Sequence, residues 1–127
     1  MMRALGAATL CGVLVLGASS PAVAAARPKA QLKIIDSVKG GSTSTAWLNC
    51  APAGGTHPNA RAACRLLAGV HGYPERLNLD PDAVCTKELR PHAVAVVGRW
   101  YGRTVRWGKV FGNDCLVKAA TGALFSL

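Results

Sequence analysis

The chain has 127 residues, 50% of them hydrophobic, with 15 Lys and Arg against 6 Asp and Glu, a formal net charge of +9. A chain of this length holds one domain, which excludes most two-domain cofactor enzymes and any large multi-pass membrane protein. The hydrophobic share is divided between two unlike segments.

Residues Met1 to Ala26 read as a secretory signal peptide. Arg3 supplies the positive start, and Ala4 to Gly17 form an apolar run centred on Val13, Leu14, Val15 and Leu16. That run is about 14 residues, short of the ~18–20 needed to span a bilayer. Ala22-Val23-Ala24 and Ala24-Ala25-Ala26 are small-x-small cleavage sites. The expected division is a leader over 1–26 and one domain over 27–127, secreted and free of the membrane after cleavage. Removing 26 of the 127 residues leaves 101, and Arg3 goes with them, so 14 basic side chains face 6 acidic ones, or +8. Cys11 also leaves. Cys50, Cys64, Cys85 and Cys115 remain, an even set that implies two disulfides in an exported chain. Three pairings are open, and spacing alone does not choose, although local closure favours Cys50–Cys64 and Cys85–Cys115. No Cys-x-x-Cys pair occurs, which argues against a zinc site.

Arg27 to Ala30 is a polar lead-in. Gln31 to Val38 is strand-like, with Leu32, Ile34 and Ile35, and Lys39-Gly40-Gly41-Ser42 is turn chemistry. Thr43 to Cys50 predicts a second strand with Ala46 and Leu48 on one face and Trp47 on the other. After a Pro/Gly loop over Ala51 to Gly55, Thr56 offers an N-cap hydroxyl and Pro58 suits a first helical turn. Ala60, Ala63, Cys64 and Leu67 then form the stripe of a helix packed on one side, which Gly69 ends. Val70 to Asp82 is irregular. Ala93 to Trp100 is strongly β-forming. Tyr101-Gly102 is a two-residue hairpin turn, and Arg103 to Phe111 returns with Val105, Trp107 and Phe111 on one face. A short helical turn is expected after Cys115, and a terminal strand over Ala123 to Leu127. About five strands joined by tight turns, with one or two helices, predict an α+β domain with an antiparallel sheet.

Enzyme chemistry finds little support. His57, His71 and His92 have no metal-ligand spacing and read as surface or loop histidines. The six carboxylates suggest no general acid/base pair, and neither a Gly-x-Ser-x-Gly elbow nor a phosphate loop occurs. No metal or cofactor is expected. Arg99, Arg103, Arg106 and Lys109 crowd one hairpin beside Trp100, Tyr101 and Trp107, a pattern that also occurs in nucleic-acid binders. A basic secreted module for nucleic acid or anionic surfaces is therefore the alternative function. The favoured reading is sheet packing beneath a solvated face, with no nucleic acid partner.

The informative stretch is Val84-Cys85-Thr86-Lys87-Glu88-Leu89-Arg90-Pro91. A cysteine stands before an exposed-looking Thr-Lys, and Pro91 stiffens the far end and extends Arg90. An extended loop, stapled and stiffened in this way, suits a protease active site, where it offers backbone hydrogen bonds as a substrate strand does.

With this loop, three blocks carry a likeness over essentially all of the mature chain. They are Cys50-Ala51-Pro52 with Gly55-Thr56-His57-Pro58 and Ala63-Cys64; Cys85 with the loop to Pro91; and Gly98-Arg99-Trp100-Tyr101-Gly102 with Val110-Phe111-Gly112-Asn113-Asp114-Cys115. In their order and spacing the chain resembles the Streptomyces subtilisin inhibitor family. The resemblance implies disulfides Cys50–Cys64 and Cys85–Cys115, a five-stranded antiparallel sheet with two short helices, and a homodimer packed sheet against sheet. It implies a non-enzymatic inhibitor of subtilisin-like and trypsin-like serine proteases, with the reactive bond at Lys87–Glu88. Lys87 would be P1, the residue entering the protease's specificity pocket. Val84, Cys85, Thr86, Leu89 and Arg90 would be the other protease-contacting positions, and Asn113 would support the loop from below. The chain departs from the family's pattern at Thr86, where Pro is frequent, and at Glu88, whose charge Arg90 is expected to offset.

Overall fold

The computed structural model describes residues 27–127, together with 12, 13 and 17; the leader expected over 1–26 otherwise lies outside the described residues. Five strands form one antiparallel sheet: β1 (Ala30–Val38), β2 (Thr43–Cys50), β3 (Gly54–Gly55), β4 (His92–Trp100) and β5 (Arg103–Phe111), in the order β3-β2-β1-β4-β5. Helices α1 (Ala60–Gly69) and α2 (Asp114–Thr121) complete the α+β domain. Among the described residues no helix is long and apolar enough to cross a membrane.

Alternation builds the sheet. Ile34 pairs with Ala46 on one side and Val96 on the other, and Val96 pairs with Trp107, so one face carries a continuous apolar row. Leu32, Ile34, Leu48 and Val96 on that face are fully buried. A one-residue slip would turn all of them to solvent, which pins the register. Ala63 and Leu67 of α1, Val117 of α2, and Leu124 and Phe125 near the C-terminus close over the row. The β4–β5 turn places Tyr101 at φ 46° and Gly102 at φ 81°, the left-handed pair that a tight hairpin needs. Behind α1, Gly72 at φ 74° lies against the Trp100 indole, and a Cβ there would overlap the ring.

Cys50–Cys64 joins the end of β2 to α1 and Cys85–Cys115 joins the loop before β4 to α2, with Cα separations of 5.6 and 5.7 Å. This is the pairing that local closure favoured. In the loop-entropy model, bridges of these spans remove roughly 3 and 4 kcal/mol of unfolded-state freedom, a large share for a domain of this size.

Three local expectations need correction. Thr56 does not cap α1: its hydroxyl accepts from the Trp47 N–H at 2.9 Å, and the helix begins only after Asn59. His57 is the reason. Its ring is buried, with Nδ1 accepting from the Asn59 N–H and Nε2 donating to the Leu124 carbonyl at 2.8 Å, so the chain dips into the core before it turns helical. The C-terminus is not a strand but a 3-10 turn over Gly122–Phe125. Leu124 and Phe125 are adjacent and both buried in the one core, whereas a strand would put them on opposite faces. The fifth strand is instead the two-residue β3, inside the expected Pro/Gly loop, where Gly55 and Gly54 pair with Leu48 and Asn49.

The histidine expectation holds for exposed His71 alone. His57 is structural, and His92 is buried with its Nδ1 donating to both Asp36 carboxylate oxygens at 2.8 and 3.1 Å. Since His92 follows Pro91 directly, that contact also fixes where the preceding loop rejoins the sheet. On the basic hairpin, Trp100 is buried and Trp107 packs near Phe125. Arg103 lies over the Tyr73 ring at 3.9 Å and donates to the His71 and Gly72 carbonyls. Trp100 and Trp107 thus pack toward the core, as the favoured reading expected, whereas Tyr101 at the hairpin tip is exposed.

Candidate reactive loop

Residues 83–91 join the irregular segment after α1 to β4 and belong to neither helix nor strand. Val84 is 98% exposed and Leu89 82%, and Thr86, Lys87, Glu88 and Arg90 are exposed as well. Both apolar side chains stand free in solvent and add no burial to the fold.

The backbone beneath them is fastened at several points. Before the loop, the N–H groups of Leu79 and Asp80 donate to the carbonyls of Ala120 and Ala119 on α2. The disulfide from Cys85 to Cys115 holds the loop's first half against the start of α2. At the far end Arg90 N–H donates to Gly112 O at 2.8 Å, and Pro91 O accepts from Lys39 N–H at 2.9 Å. Between these ends one side chain of the described residues hydrogen-bonds the loop backbone.

That side chain is Asn113, at the corner between β5 and α2. It is buried and caps α2, its Oδ1 accepting from Leu116 N–H at 3.0 Å. Its Nδ2 donates to the carbonyls of Thr86 and Glu88, both at 2.9 Å. The cap fixes which end of the amide is oxygen, because an inverted amide would set its NH2 against the Leu116 N–H and its oxygen against two carbonyls. One amide therefore ties the helix start to the loop and uses both of its ends. The two carbonyls it holds flank the Lys87–Glu88 peptide, while the Lys87 carbonyl takes no hydrogen bond among the described residues.

A family model described as subtilisin inhibitor-like matches residues 14–113. The chain belongs to the subtilisin inhibitor-like family. It is 41% identical to a "Subtilisin inhibitor" of Streptomyces violaceus, over 95% of this chain and 92% of that protein. It is 36% identical to the "Trypsin inhibitor STI2" of Streptomyces longisporus, over 97% of this chain and 92% of that protein. Among solved structures, sermetstatin of Streptomyces caespitosus, in complex with subtilisin of Bacillus licheniformis, matches with a TM-score of 0.65 and 30% identity, covering 77% of this chain and 98% of that one. The family is one of protease inhibitors and not of enzymes, and the chain is a protease inhibitor of this type.

Within this subtilisin inhibitor-like domain, the loop residues singled out by sequence lie together with Asn113 and the Cys85–Cys115 bridge. Val84 to Arg90 form the exposed arc, Cys85–Cys115 and Asn113 lie beneath it, and Cys50–Cys64 sits apart, under α1. Two tethers were not foreseen: the Gly112 carbonyl and the Lys39 N–H. Both are backbone groups, and no side-chain pattern announces them. Arg90 and Glu88 do not form an ion pair. Among the described residues the ion pairs are His92–Asp36 and Lys118–Asp114, and neither loop charge takes part in one.

Proposed function

We propose that the chain is a secreted inhibitor of subtilisin-like and trypsin-like serine proteases that binds as a substrate does, with Lys87 at P1 and Glu88 at P1′. The observation that carries this reading is the hold of Asn113 on the two carbonyls flanking the Lys87–Glu88 bond. In this reading Val84, Cys85 and Thr86 occupy P4, P3 and P2, and Leu89 and Arg90 occupy P2′ and P3′. The loop is ordered before binding, so association loses little conformational entropy. After attack on the Lys87 carbonyl, the acyl half and the new Glu88 amine stay side by side, one held through Thr86 O and the Cys85 bridge, the other through Glu88 O and Arg90 N. Resynthesis of the bond then competes with hydrolysis and release, which is what separates an inhibitor from a substrate.

Lys87 sets the expected preference. A trypsin-type pocket ends in a buried Asp that pairs with an ammonium. A subtilisin-type pocket accepts the aliphatic stem while the charged head stays in water. The names of the Streptomyces relatives, one a subtilisin inhibitor and one a trypsin inhibitor, agree with both preferences. Titrating trypsin and subtilisin with the purified protein should remove activity stoichiometrically, with slow cleavage only at Lys87–Glu88. Rapid digestion at many sites would exclude the mechanism.

Export and dimerisation belong to the same proposal. The leader over 1–26 accounts for export. The sheet face opposite the core carries Trp47, Val97 and Val110, all exposed. Trp47 and Val97 flank Lys33 from either side in the strand register, an apolar patch suited to a second copy of the same face. Protein recovered from culture supernatant should begin near Arg27 and sediment as a dimer, and Val97→Glu should make it a monomer. An intact N-terminus, or a monomer before mutation, would refute the corresponding half.

A further inference from the structure

Lys87, Glu88 and Arg90 place three charges on four residues of one exposed loop. Glu88 is fixed beside the proposed reactive bond, because its own carbonyl is held by Asn113 at 2.9 Å. Its side chain therefore travels with the reactive bond and stays at the protease surface when the loop docks. Among the described residues its carboxylate makes no ion pair, with Arg90 or with any other cation. A carboxylate brought out of water without a partner weakens association, while one that meets a cation strengthens it and selects against proteases lacking that cation.

We infer that the preferred partner is a trypsin-type serine protease whose S1′ wall carries a lysine or arginine, and that Glu88 makes this selection. The inference rests on Lys87–Glu88 being the reactive bond. A matched protease must then offer an acid at S1 and a cation at S1′, the mirror of the Lys87/Glu88 order. Val84 and Leu89 on either side add apolar contacts that do not discriminate by charge.

The test uses the inhibitor as recovered from culture against a matched pair: a trypsin-like protease with a lysine lining S1′, and the same protease with that lysine changed to glutamate. The wild-type inhibitor should favour the lysine form. Glu88→Gln should lose about tenfold against the lysine form and gain against the glutamate form, the scale of one charge-assisted hydrogen bond. Glu88→Lys should reverse the preference. Glu88 is exposed, so circular dichroism of both variants should match the parent. Equal changes against both proteases would overturn the inference. Sequencing the cleaved inhibitor keeps the two readings separate. A cut at Lys87–Glu88 without discrimination by the Glu88 variants sinks the S1′ assignment alone, and a cut elsewhere sinks the reactive-bond reading.

Discussion

Lys87→Asp should abolish trypsin inhibition, weakening binding by at least about a thousandfold, and leave the fold unchanged. The magnitude follows from placing an anion against the buried carboxylate of the specificity pocket. An attractive pair becomes a repulsive one where water is excluded, and truncation of central anchors alone costs ~2–4 kcal/mol or more. The fold should not notice, because Lys87 is exposed and makes no ion pair among the described residues. Lys87→Arg should keep most of the affinity, since the guanidinium reaches the same carboxylate. Inhibition constants for the three proteins, with thermal melts as the control, decide the matter. Undiminished inhibition by the aspartate variant would mean that another bond lies in the protease active site.

Changing Asn113 should turn the inhibitor into a substrate. Asn113→Ala removes two hydrogen bonds to the loop and the cap of α2 together. At about 1 kcal/mol for each neutral hydrogen bond and about 1 kcal/mol for the cap, stability should fall by roughly 2–3 kcal/mol. The two disulfides should keep the domain folded despite that loss. The functional effect should exceed the structural one. With Thr86 O and Glu88 O released, the ends of a cut loop separate, and hydrolysis at Lys87–Glu88 should accelerate about a hundredfold, the scale of the two lost tethers with the positioning they provide. Asn113→Asp divides the two roles. The carboxylate still caps α2, but it sets an oxygen against both loop carbonyls where the amide set donors. Because that oxygen is buried and faces two carbonyls, the variant should melt no higher than the alanine variant although its cap is kept, and its cleavage should match or exceed the alanine rate. Mass spectrometry of inhibitor incubated with catalytic amounts of trypsin reads the outcome directly. Parental persistence of the intact aspartate variant would show that the amide does not retain the cut ends.

Much of the scaffold was legible because the signals involved are local. Alternation in Gln31–Val38 and Thr43–Cys50, the helical stripe from Ala60 to Leu67, and the Tyr101-Gly102 turn each depend on residues close in sequence, and each formed as read. The failures share one cause. Thr56 looks like a cap until His57 is drawn 67 residues across the chain to the Leu124 carbonyl. His92 looks like a loop residue until Asp36, 56 residues away, meets it in the core. The C-terminal segment looks like a strand until its two adjacent apolar residues both turn inward. In each case a distant partner removed the advantage that the local pattern would have offered.

The sequence by itself determined the class of sheet, the four cysteines of the two bridges and, through family likeness, the loop between Val84 and Pro91. Family likeness also pointed to Asn113 as the loop's support, and only the tertiary structure decided which carbonyls it binds and which backbone groups tie down the far end. Asn113 lies 27 and 25 residues from the carbonyls it binds, and nothing in its neighbours distinguishes a capping asparagine from one that also supports a loop. The physical reason is that one amide has two ends. Its oxygen answers a local demand, the open N–H of a helix start, which sequence can reveal. Its NH2 answers whatever the fold brings within about 3 Å, and only packing β5, α2 and the Cys85–Cys115 bridge together brings Thr86 and Glu88 there.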